Sequence, residues 1–158
     1  MSGRFQRITP FLWFDTQAEE AASYYVSIFP NSRITSVTRY TKESSEASGR
    51  PLDSVMTAAF ELDGQQVTAL NGGPHFKFNE AVSLVVRCHD QTEIDHYWNT
   101  LSAGGDPNAQ ACGWLKDKYG LSWQIVPADI EALVQSPGSV AALMQMKKID
   151  IAAMKAAA

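Results

Sequence analysis

Apolar and polar positions follow two different periods along this chain, and the order in which they change is the same in each half. The run Ile8–Phe14 (ITPFLWF) is strand-like, with Pro10 near its beginning. Thr16-Gln17-Ala18-Glu19 follows with capping-box spacing, so the Thr16 and Glu19 side chains are placed to satisfy free amides at a helix start. Ala18, Ala21, Ala22, Tyr25 and Phe29 then recur at helical spacing, and Pro30-Asn31 ends the helix. Strands are predicted over 33–41, 55–62 and 65–71. In the second of these, Met56, Ala58, Phe60 and Leu62 alternate with Val55, Thr57, Ala59 and Glu61. Asp63-Gly64 supplies the two-residue turn between the last two strands. The polar segment KESSEASGRPLD (42–53) reads as a mobile surface loop.

The second half repeats the order. Ala81–Cys88 (AVSLVVRC) is a strand, and Asp90 caps a helix with Ile94, Tyr97, Trp98 and Leu101 on one face. Gly104-Gly105 closes it. Two or three short strands are expected between about 109 and 126, with a tight turn at Asp117–Gly120 before the last. Strand, capped helix and meander thus occur twice, as two βαβββ modules over 1–73 and 74–127. Period-two alternation puts Trp123 and Ile125 on one face of the last strand and Ser122, Gln124 and Val126 on the other. Since the bulky residues pack on a helix, Gln124 points to the concave side. Residues 128–158 form a helical extension, one short helix and one longer, separated by Pro137-Gly138. Leu143, Met146, Ile149 and Met154 would pack either on a partner surface or on the chain's own domain.

Composition narrows the function classes. With 45% hydrophobic and 19% charged residues, the chain is an ordinary globular domain. A formal net charge of −4 argues against general nucleic-acid binding, which needs a basic surface. No run approaches membrane-span length, and MSGRFQRITPFLWF lacks a signal-peptide core, so a cytoplasmic protein is expected. Cys88 and Cys112 have no CxxC spacing and are expected as reduced thiols.

At this point the chain resembles a known family. ITPFLWF with AEEAASYYVSIFPNS, LNGGPHFKFNEAVSLVV, and CGWLKDKYGLSWQIVP are similar to the PhnB-like family, often labelled 3-demethylubiquinone-9 3-methyltransferase. The C-terminal AALMQMKKIDIAAMKAA fits it as well. That family lies within the vicinal-oxygen-chelate superfamily of glyoxalase I, extradiol dioxygenases and bleomycin- and fosfomycin-resistance proteins. The resemblance implies an α+β glyoxalase-like fold, with curved mixed sheets around a cavity and a homodimeric assembly. It also implies metal-ligand positions on the first and last strands of each module. Here these fall near Thr9 or Pro10, on Ala69, on Ala81 and on Gln124, and only the last is a ligand type suited to a cation.

The expected function is therefore binding of a small apolar or aromatic molecule in a metal-poor cavity. Gln124, Glu61, Asn71, His75, Phe76, Phe78, Trp13 and Trp114 are the candidate lining residues. Glu61 would be a buried carboxylate if it faced the cavity, or a solvated one at the hairpin end. Phe76 and Phe78 serve either as a ligand rim or as plugs of the core. His75, His89 and His96 lack a matching third ligand, so no metal is predicted. The alternative is a small-molecule enzyme, through a divalent metal or through methyl transfer from S-adenosylmethionine. No glycine-rich turn follows the first strand as a doubly wound methyltransferase requires, and no catalytic residue can be named.

Overall fold

A computed structural model describes residues 5–158, so Met1–Arg4 of the opening stretch lie outside the described residues. The chain divides into two compact units, the first running through Lys77 and the second from Phe78. Each is α+β.

In the first unit, β1 (Phe11–Phe14) is followed by α1 (Ala18–Ile28), β2 (Arg33–Arg39), α2 (Lys42–Ser48), β3 (Val55–Leu62) and β4 (Gln65–Asn71). The sheet order is β1-β4-β3-β2, with β1 parallel to β4 and the other pairs antiparallel. Asp63 and Gly64 both take positive φ, 48° and 82°, as the two-residue hairpin requires. Alternation buries Leu12, Phe14, Ala58, Phe60, Val67 and Ala69, and α1 buries Ala18, Ala21, Ala22, Tyr25 and Ile28. Tyr25 stacks on Phe60 with ring centroids 6.2 Å apart. Five alanines with no exposed surface among these contacts keep side chains short where α1 lies on β3 and β4. Phe29, expected on the apolar face, is instead the half-buried C-cap, and Ile28 takes the buried place.

Two local expectations are corrected. The Thr16–Glu19 capping box does not form: Gln17 is the N-cap and its side chain makes no capping bond. The amide of Ala18 donates instead to Asn71 Oδ1 at 2.7 Å, so a strand residue 53 positions away caps the helix. The stretch 42–53, expected as a loop, holds α2. Thr41 and Ser44 form its capping box and Gly49, at φ 74°, ends it in the left-handed region. It buries no residue, so it leaves no apolar stripe in the sequence.

The second unit contains β5 (Ser83–Cys88), α3 (Gln91–Ser102), β6 (Trp114–Lys116) and β7 (Ser122–Pro127). Its sheet order is β5-β7-β6, with β5 parallel and β6 antiparallel to β7. It has three strands where the first sheet has four. A 3₁₀ turn at Pro107–Ala109 and an isolated bridge between Ala111 and Trp114 occupy the stretch between α3 and β6. Asp90 caps α3 as expected, accepting from the Glu93 amide at 2.9 Å, and Ile94, Trp98 and Leu101 are buried.

The C-terminal stretch forms three helices: α4 (Ile130–Leu133), α5 (Pro137–Met144) and α6 (Ile151–Ala156). The longer expected helix breaks at 145–150, and Pro137-Gly138 begins α5, after the Ser136 N-cap, where a proline costs nothing. Leu143 and Met146 pack on the buried cluster of Val126, Ile149 and Met154, so this apolar face serves its own unit. Gln91 clasps the break: its Nε2 donates to Ile149 O at 2.9 Å and its Oε1 accepts from Ile151 N at 2.9 Å. Among the described residues no helix is long and apolar enough to cross a membrane.

Candidate functional site

In the second sheet, alternation separates two faces. Leu115, Trp123 and Ile125 are buried on the side of α3, while Ser83, Val85 and Arg87 of β5, Ser122, Gln124 and Val126 of β7, and Trp114 and Lys116 of β6 share the other. Gln124 stands between Val85 and Trp114 in register, half-buried, and its Nε2 donates to Ser83 Oγ at 3.0 Å. One residue pair along, Ser122 lies opposite both Ser83 and Lys116. Ser122 is 1% exposed, and its hydroxyl has no hydrogen-bond partner among the described residues. A buried hydroxyl without a partner is costly and rare, so this face holds unspent hydrogen-bonding capacity.

Lys116 is paired with Glu80 of the loop preceding β5. The Lys116 hydrogen bond, with the Glu80 amide and the Lys116 charge, holds the Glu80 carboxyl below its ordinary range. The approach to β7 is fixed by Asp117, a residue that sequence reasoning placed only as the start of a turn. It is 2% exposed; its Oδ1 accepts from Tyr119 N at 2.8 Å and Leu121 N at 3.1 Å, and its Oδ2 from Trp123 Nε1 at 2.9 Å. By pinning Trp123 to the helix side, Asp117 sets the orientation of the next residue, Gln124. The signal was present as an Asp two residues before an amide it can bond and three before a left-handed Gly120.

The expected lining residues divide between the units: Gln124, Trp114 and half-buried Phe78 in the second, and Glu61, Asn71, Trp13, His75 and Phe76 in the first. Asn71 is 6% exposed and fully engaged: besides capping α1, its Nδ2 donates to Val55 O at 3.1 Å. Its backbone carbonyl accepts from Tyr40 Oη. It is a tie between β4, β3 and α1. Glu61 lies beside Arg33 at 3.4 Å on the face away from α1. Trp13 is half-buried; its Nε1 donates to Gly73 O at 2.9 Å and its ring meets Phe76 edge-on at 4.8 Å and His75 at 6.5 Å. Phe76 is 65% exposed. A Cβ on Gly72 would sit 2.2 Å from the Trp13 ring, so the glycine is required by that close approach.

Ala69 is one of the positions to which the resemblance assigns a metal ligand. Ala69 is buried on the α1 side, and the open face of β4 carries Thr68 and Leu70. Thr68 pairs with Phe11 across a parallel ladder as Gln124 pairs with Val85. Among the described residues no three His, Cys, Asp or Glu side chains are grouped to hold a metal ion. His89 and His96 are exposed, and His96 stacks edge-on with Tyr97 at 4.9 Å. An amide, two hydroxyls and a carboxylate already taken by an ammonium do not fit a divalent cation's ligand set. The β1–α1 connection, Asp15-Thr16-Gln17, has no glycine, and neither sheet is doubly wound, so the usual cradle for S-adenosylmethionine is not built here either.

Comparison with known proteins places these features. A family profile described as 3-demethylubiquinone-9 3-methyltransferase matches residues 6–126. Among solved structures, the chain is similar to a putative 3-demethylubiquinone-9 3-methyltransferase, PhnB protein, from Bacillus cereus. That match has 35% identity over 77% of this chain and 99% of the other, with a TM-score of 0.65. Protein PA1353 from Pseudomonas aeruginosa is 20% identical over 78% of this chain and 98% of its own, at a TM-score of 0.58. The genomically encoded fosfomycin resistance protein FosX from Listeria monocytogenes is 14% identical, covering 86% of this chain and 100% of its own, at 0.52. The last two share the fold alone. No curated protein matches the chain.

Proposed function

The chain belongs to the family described as 3-demethylubiquinone-9 3-methyltransferase, the PhnB-like members of the vicinal-oxygen-chelate superfamily, and from that premise we propose that it binds a small, apolar or aromatic molecule on the Gln124 face. The observation that carries the reading is the buried, unpartnered Ser122 hydroxyl beside Gln124. Trp114 and Val85 flank that amide and offer a flat apolar contact, while Gln124, Ser83 and Lys116 offer a few directed polar ones. This mixture of apolar wall and sparse polar groups is what small-molecule sites use for affinity and orientation. The protein acts as a homodimer in the cytoplasm on this reading, in keeping with its superfamily. No methyl-transfer step is assigned, because the residues present do not fit the cofactor.

The test is a fragment screen of neutral aromatic compounds by ¹H–¹⁵N spectroscopy, followed by titration of hits. Saturable shifts at the side-chain amide of Gln124 and the indole of Trp114, weakened about tenfold in Gln124→Ala by loss of one directed bond, are expected. A screen with no saturable hit at these two groups overturns the reading. Sedimentation at micromolar concentration tests the dimer separately.

A further inference from the structure

From the surroundings of Arg50, we propose a second site, in the first unit, for a small oxyanion: the carboxylate or phosphoryl group of a small molecule. Gly49, in the left-handed region at the end of α2, turns the chain into Arg50. The backbone there is fixed at both ends, since Arg50 N donates to Ser48 Oγ at 3.2 Å and Arg50 O accepts from Ser45 Oγ at 2.6 Å. The side chain is 19% exposed, yet its guanidinium makes no hydrogen bond with any described residue, and its Nε is buried without a partner. The nearest carboxylate, Asp15, stands 4.0 Å from Nη1, beyond hydrogen-bond distance.

A mostly buried guanidinium with five unused donors is an expensive feature, because its desolvation is repaid only by charge-assisted bonds. Its fork geometry matches a carboxylate or phosphate bidentately. The neighbourhood adds further recognition. The space where a Gly73 side chain would begin is 3.6 Å from Arg50 Nη1, 3.6 Å from His75 Cδ2 and 3.7 Å from His75 Nε2. Arg50 and His75 thus flank one bare stretch of backbone, and the His75 imidazole offers a further N–H donor there. Trp13, bonded to Gly73 O, brings the exposed Phe76 ring to the same corner as an apolar wall. Asp15 is the resident anion that an incoming one displaces.

This site is independent of the Gln124 face, and either reading stands if the other fails. The experiment titrates the intact protein at constant ionic strength with sodium benzoate, inorganic phosphate and neutral benzamide. It follows the Trp13 indole N–H and the Gly73 amide. Benzoate or phosphate should give saturable shifts at both groups, and benzamide none; whichever anion binds more tightly identifies the preferred oxyanion. Arg50→Gln should abolish the shifts while leaving the fold intact, and Asp15→Asn should tighten binding about threefold or more by removing the competing carboxylate. No saturable shift with either anion, or shifts retained in Arg50→Gln, overturns the proposal. Should Arg50→Gln fail to fold, Asp15→Asn decides: tighter binding supports the site, and unchanged or weaker binding refutes it.

Discussion

Replacing Asn71 with alanine removes two side-chain bonds from different parts of the first unit at once. The Ala18 amide loses its cap, an effect of about 0.5–2 kcal/mol in comparable helices. The Val55 carbonyl loses a donor, worth about 0.5–1.5 kcal/mol net. Because the site is buried, the orphaned Ala18 amide also goes without water, which moves the total to the upper part of the sum, about 2–3.5 kcal/mol. For a chain of this length that corresponds to roughly 4–14 °C in melting temperature. Thr16→Ala is the matched control: Thr16 looks like the helix cap in the sequence but makes no capping bond, so its cost should stay within about 0.5 kcal/mol. Urea unfolding gives both values, and amide exchange at Ala21 and Ala22 localises them to α1. If Thr16→Ala costs as much as Asn71→Ala, the assignment of the cap to β4 is wrong.

Three further outcomes follow from the second unit. Ser122→Ala removes a buried hydroxyl that has no partner, so stability in the absence of ligand should be unchanged or rise by up to about 1 kcal/mol, read from the urea midpoint. Glu80 has a lowered pKa in the folded protein, so its contribution is present above the ordinary carboxylate value of 4.5 and fades as pH falls through the lower folded value. The stability difference between the wild type and Glu80→Gln should therefore be present at neutral pH and vanish in acid, and a difference that grows in acid would contradict the Lys116 pairing. Burial, aided by Glu93 and Asp90, pushes the Cys88 thiol up to about 12. Iodoacetamide at pH 8 should then label half-buried Cys112 while Cys88 stays unmodified until the protein unfolds, as peptide mass mapping would show.

Elements whose identity rests on local pattern were legible in the sequence. The alternation of β3, the Asp63-Gly64 turn, the Asp90 cap and the buried face of α3 are each written within a dozen residues. What escaped lacks such a pattern. Helix α2 touches no core, so no stripe marks it, and only Thr41, Ser44 and Gly49 outline its ends. The α1 cap was hidden because its acceptor lies on another element, and a plausible local cap stood in its place. At the candidate site, parity sufficed to put Gln124 and Ser122 on the face opposite Trp123 and Ile125. Parity alone does not say which face of β4 is open, and Ala69, taken from the resemblance, is buried on the α1 side while Thr68 lies on the open face. Arg50 could not be read at all, since what sets it apart, a buried Nε without a hydrogen-bond partner, arises only in three dimensions.

The clasp made by Gln91 ties the order of synthesis to the order of folding. The first unit is contiguous in sequence, and all of its strands are synthesised before α3. The second unit has no such head start. The two Gln91 bonds to Ile149 and Ile151, and the Cys112 and Gly113 amide bonds to Met146 and Lys147, need the stretch from Met146 to Ile151. During translation, then, Val126 at the end of β7 waits uncovered until Ile149 and Met154 have been made. That closure tolerates little movement: the Ala157 carbonyl lies 1.9 Å from where a Gly138 side chain would begin, so α6 has little room to shift before α5 is disturbed.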